Sequence, residues 1–128
     1  MQRLSAIILG CALGALPGLA YACGACLEDK VAATYDHATV TSAASHGKVV
    51  VFGQLEGTAD PQRATERIRA SGGRVRGVQA GTLRASAAPA AFSFALDPRV
   101  QTPEAAALEL ERRVAMDGLH LTVIRVMR

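Results

Sequence analysis

The 128-residue chain contains no tryptophan, and its aromatic residues are limited to three phenylalanines and two tyrosines. None of them lies between Pro61 and Arg84, where Arg63, Arg67, Arg69, Arg74, Arg76 and Arg84 face a single acid, Glu66. Binding to single strands needs rings on which bases stack as well as positive charge. The segment therefore reads as a solvated arginine-rich face, and no nucleic-acid partner is expected. Cysteine is scarce too, at three residues, so a disulfide-stapled mini-protein is excluded. The sequence has no G-x-S-x-G, no H-E-x-x-H and no phosphate loop. Gly72-Gly73 falls where a helix should stop, which makes it a terminator and not an anion cradle. No catalytic group is expected.

What is present begins at the front end. Arg3 is the one charge in residues 1–22 and precedes an apolar run from Leu4 to Leu16, a break at Pro17-Gly18, and Ala20-Tyr21-Ala22. A basic start, a short apolar stretch and an Ala-x-Ala site describe a secretory signal peptide cut after Ala22. A membrane anchor would need about 20 apolar residues, and the Pro-Gly break opposes it. Ala20 and Tyr21 also fit a lipoprotein site poorly. The expected mature protein is periplasmic or secreted and starts at Cys23. Its 106 residues suffice for one small core.

Residues 23–47 are expected to form an N-terminal helix and linker. Leu27, Val31 and Tyr35 recur every four residues, which predicts a helix from Cys26 to His37, and the Ser/Thr/Ala-rich stretch Thr39–Gly47 reads as the linker. Residues 48–128 carry strand and helix patterns in alternation. Lys48–Leu55 predicts a strand with Val49, Val51 and Leu55 on one face and Val50 and Phe52 on the other. Asp60-Pro61 starts a helix with Ala64 and Ile68 inward. Arg74–Arg84 predicts a second strand, Ser86–Pro89 a turn, and Ala90–Leu96 a third strand. Thr102-Pro103 starts another helix with Ala106 or Ala107, Leu110 and Val114 buried, ended by Gly118. In the last strand, Leu119, Leu121 and Val123 alternate with His120, Thr122 and Ile124. The order β-α-β-β-α-β with right-handed crossovers predicts an α+β ferredoxin-like sandwich, a four-stranded antiparallel sheet with two helices on one face.

The candidate site is Cys23-Gly24-Ala25-Cys26, directly behind the expected cut. One helical turn brings sulfurs at this spacing to one side, and helix N-terminal N–H groups favour thiolate. Glu28 and Asp29 oppose it by repulsion. Two thiolates suit Cu(I), whereas zinc would need two further ligands, from a histidine, the new amino terminus or a second molecule. His37 lies eleven residues from Cys26, roughly 16 Å along a continuous helix. His46 follows the linker, and His120 opens the last strand. Two other readings stay open. One is thiol-disulfide exchange, since C-x-x-C at a helix start is redox geometry, although no strand precedes it. The other is a structural disulfide that fixes the N-terminus of a non-catalytic interaction module.

The β-α-β-β-α-β order over Lys48–Met127, with a C-x-x-C nearby, resembles the heavy-metal-associated domain superfamily. The resemblance implies a small soft-metal carrier that exchanges Cu(I) with donor or acceptor proteins through exposed cysteines. That family places its C-x-x-C between the first strand and first helix. Here that loop is Gly57-Thr58-Ala59-Asp60, without cysteine. The metal expectation accordingly rests on Cys23 and Cys26 alone.

Overall fold

The structure, a computed structural model, describes residues 26–128. The expected signal peptide and Cys23 lie outside the described residues. The elements are α1 (Leu27–Thr34), α2 (His37–Ser45), β1 (Val49–Gly57), α3 (Pro61–Ser71), a 3-10 turn (Gly72–Arg74), β2 (Arg84–Ala87), β3 (Ala90–Leu96), α4 (Pro103–Val114) and β4 (Leu119–Met127). The architecture is α+β. The four strands form one antiparallel sheet in the order β2-β3-β1-β4. β1 and β2 thus run the same way with β3 between them, and β3 and β4 run the same way with β1 between them.

Helix starts follow local chemistry. The Asp60 carboxylate accepts from the Arg63 N–H and the Thr102 hydroxyl from the Ala105 N–H, and in both helices proline fills the first turn, where no N–H is needed. Each helix then lays a small-residue and aliphatic stripe on the same sheet face. Ala64 and Ile68 of α3 and Ala106, Ala107, Leu110 and Val114 of α4 meet Val49, Val51, Phe92, Phe94 and Leu96. The opposite face carries a second, smaller cluster. There Val31 of α1 and Ala43 of α2 cover Val50, Phe52 and Ala95. The sheet is therefore a middle layer with a helix pair on each side.

Three sequence expectations need correction. The single helix from Cys26 to His37 is two helices with an extended corner at Tyr35-Asp36. Asp36 causes the break, because its carboxylate accepts from both the N–H (3.1 Å) and the hydroxyl (2.6 Å) of Thr39 and caps a new helix. The linker Thr39–Gly47 is mostly α2, a polar stretch made helical by that cap and by the burial of Ala43. The strand at Arg74–Arg84 is largely absent. Gly77 and Gly81 adopt φ of +82° and +79°, incompatible with continuous extension, so only Val78 bridges to Leu96 before β2 starts at Arg84.

Two smaller differences concern α4 and β4. Helix α4 stops at Val114 with Ala115 left-handed, ahead of Gly118. Gly118 instead offers its carbonyl to the N–H groups of Thr58 (2.9 Å) and Ala59 (3.2 Å), tying the start of β4 to the loop after β1. In β4 the register shifts: Phe52 opposes Arg125 but Gly53 opposes Val123. Ile124 is the extra residue of a bulge. Leu119, Leu121 and Val123 face the larger cluster opposite Ile124, as alternation predicts, and the bulge then turns Val126 to the larger cluster and Met127 to the smaller one.

Candidate functional site

Cys26 is the N-cap residue of α1. Its backbone is extended (φ −67°, ψ 165°), its carbonyl accepts from the Lys30 N–H at 3.2 Å, and its side chain makes no capping bond. The thiol is free and exposed. The first-turn N–H groups of a helix have no intrahelical acceptor and carry the positive end of its dipole. Beside Cys26 stands Leu27, an apolar side chain that is half exposed.

The repulsion expected from Glu28 is offset by a residue no sequence spacing could indicate. Arg125 of β4, 97 positions later, donates from Nη1 to Glu28 Oε2 at 3.1 Å and from Nη2 to Glu28 Oε1. The hydrogen bond from Arg125, and then its charge, hold the Glu28 carboxyl below its ordinary value, and the same contact raises Arg125. Asp29 remains exposed. Lys30 turns to the sheet, where Nζ donates to Gln54 Oε1 at 2.6 Å.

Helix α1 crosses the sheet from edge to edge. Its start is clipped to β4 through Glu28–Arg125. Past its end, Asp36 pairs with Arg84 of β2 at 3.1 Å, and Ser93 Oγ donates to the Thr34 carbonyl at 3.1 Å. The outer strands β4 and β2 are three inter-strand spacings apart, about 14 Å. His37, just past the far end, is therefore held away from Cys26, although the continuous helix that first implied the separation does not exist. Its ring sits between Tyr35 Oη (3.4 Å) and Thr41 Oγ1 (3.5 Å). His46 Nδ1 lies 2.7 Å from the Ser42 carbonyl. His120 Nδ1 lies 3.6 Å from Glu111 Oε1 on the other helix layer. Among the described residues no three His, Cys, Asp or Glu side chains converge as a metal site.

The arginine-rich segment is divided by the fold. Arg69 donates to the Ala85 carbonyl at 2.7 Å, Arg76 pairs with Glu109 at 3.2 Å, and Arg84 pairs with Asp36. Arg63, Arg67 and Arg74 are exposed and form no ion pair among the described residues. A cavity of about 200 Å³ lies between α2 and the segment before β2, lined by Ala38, Thr39, Ser42, Gln79 and Thr82. Its walls carry no charge or thiol. Among the described residues no helix is long and apolar enough to cross a membrane. No family model matches the chain, and no curated protein sequence matches it.

Proposed function

We propose that this is an exported, non-catalytic protein that binds a soft metal ion, Cu(I), through Cys23 and Cys26 and passes it to or from a partner protein. The observation that carries this reading is the free, exposed thiol of Cys26 at the N-cap of α1. The donor chemistry supports Cu(I) over zinc. Two thiolates three residues apart complete a linear Cu(I) site, whereas His37, His46 and His120 each stand against other groups and bring no nitrogen toward Cys26 for a four-ligand zinc site. The pairing of Glu28 with Arg125 removes part of the negative field that would oppose a second thiolate.

The same reading places the chain from Lys48 onward in the ferredoxin-like class. The order β1-α3-β2-β3-α4-β4 and the sheet order β2-β3-β1-β4, with α3 and α4 on one face, support it. On this view α1 and α2 are an added layer that brings the cysteine pair to a sheet edge, in place of the loop after the first strand.

The test is a titration of reduced mature protein with Cu(I) against a competing chromophoric chelator. About one Cu(I) per chain or per pair of chains is expected. A thiol-disulfide role makes a different prediction, since a C-x-x-C at a helix start is also the geometry for exchange. Cys26→Ser would then trap mixed disulfides with partner proteins through Cys23 and leave Cu(I) binding weak throughout.

A further inference from the structure

We propose that α1, from Cys26 to the Tyr35-Asp36 corner, is a strap that opens while the sheet stays folded, lifting Cys26 off the β4 edge. Eight residues are too few for a helix to persist by itself in water. Its order therefore depends on docking, and the docking is thin. Val31 and Thr34 are its buried residues, and the Thr34 hydroxyl is buried without a hydrogen-bond partner among the described residues.

Two further bonds reach the sheet, from Ser93 Oγ to the Thr34 carbonyl and from Lys30 Nζ to Gln54 Oε1, and the attachments at the two ends lie in solvent. Glu28–Arg125 fastens one end with the Glu28 side chain 71% exposed, and Asp36–Arg84 fastens the other with side chains 33% and 46% exposed. Exposed ion pairs of this kind are screened by salt. Helix α2 is held differently. It buries Ala43, packs Val40 on the sheet, carries the Asp36 cap and is joined to β1 by the Lys48 N–H to Ala43 carbonyl bond of 2.8 Å. The sheet itself is sealed from its other face by the larger cluster. Release of α1 would undo the two end clips and leave the sheet sealed by the larger cluster, with α2 still covering part of the smaller one.

The opening stands on these contacts alone. Its use, swinging the already exposed Cys26 thiol outward to a partner while the domain stays intact, rests on the reading of Cys23 and Cys26 as metal ligands.

Hydrogen exchange on the full mature chain, read by peptide, tests both. Amides of α1 should exchange about tenfold or more faster than those of β1 and β3. They should accelerate several-fold between about 0.01 M and about 1 M salt, with the sheet unchanged. Arg125→Gln and Glu28→Gln should each speed α1 exchange by a similar factor, and together no further, because each breaks the same pair. Equal protection of α1 and the sheet, or equal acceleration of both in either variant, would overturn the strap. So would indifference of α1 to salt. A fast-opening α1 in a protein with no Cu(I) affinity would sink the metal reading and leave the strap standing.

Discussion

The ring of Tyr35 lies over that of Phe52, with centroids 6.4 Å apart and planes within 13°. Phe52 is fully buried in β1, while Tyr35 is 44% exposed at the corner between α1 and α2. One sheet residue thereby anchors the turn of the N-terminal layer. Phe52→Ala should cost about 3–5 kcal/mol. That corresponds to a fall in the thermal midpoint of roughly 4–8 °C per kcal/mol, followed by circular dichroism. Tyr35→Ala forfeits mainly the stacking and should cost about 0.5–1.5 kcal/mol. Equal effects of the two would show that the corner, and not the sheet face, dominates.

Gly53 faces the larger cluster, and a Cβ built there would fall inside the Phe92 ring. Phe92 is fully buried and stacks beside Phe94 with centroids 6.0 Å apart, so it has little room to retreat. Gly53→Ala should destabilise the protein by at least about 1–3 kcal/mol, the usual cost of overpacking. A urea midpoint unchanged from wild type would show that the Phe92 ring can move.

Removal of residues 1–47 strips α1 and α2 from Val50, Phe52 and Ala95. The larger cluster keeps all its members, so a cooperative thermal transition should persist at a lower midpoint, with new binding of a hydrophobic dye. Loss of the cooperative transition would make the N-terminal layer part of the indispensable core.

Acid should weaken the edge clips. The Thr39 hydroxyl and N–H, and then Arg84, hold the Asp36 carboxyl below its ordinary 3.8, and Arg125 holds Glu28 below its ordinary 4.5. A carboxyl lowered on folding adds stability that is complete above its unfolded value and is lost as pH falls through its folded value. Urea midpoints should therefore hold steady down to about pH 4.5 and decline below it. Asp36→Asn keeps a capping oxygen while removing the titration, and should shallow the decline. An identical acid slope in that variant would place the sensitivity elsewhere.

Cys23→Ser or Cys26→Ser should each remove most Cu(I) affinity, since one thiolate is a poor site. His37→Ala should leave it unchanged, because His37 follows the end of α1 held at β2 while Cys26 precedes the end held at β4. Competitive Cu(I) titration reads all three. Full affinity in the double serine variant would refute the metal assignment.

Much of the fold on the larger core face was legible in the sequence because its signals are local. The Asp60-Pro61 and Thr102-Pro103 caps, the Ala64/Ile68 and Leu110/Val114 stripes and the alternation of Val49–Phe52 and Phe92–Leu96 each depend on neighbours a few residues away. Where two local signals competed, the reading failed. The four-residue spacing of Leu27, Val31 and Tyr35 promised one helix, but the Asp36 side chain captured Thr39 and broke it. Valines and arginines between Arg74 and Arg84 promised a strand, but Gly77 and Gly81 turned the chain instead.

The sequence by itself determined that two cysteines stand three residues apart, with Cys26 in front of a helical stripe. It also determined which residues could cap and fill the helices and strands, since composition, spacing and local hydrogen bonding are properties of contiguous chain. Only the tertiary structure decided that α1 lies across the sheet, that Arg125 meets Glu28 and Arg84 meets Asp36, and that Ile124 bulges so that Val126 turns to the larger cluster and Met127 to the smaller. Those relationships join residues far apart in the chain. They are selected by burial and charge pairing across the folded sheet, which no local spacing encodes.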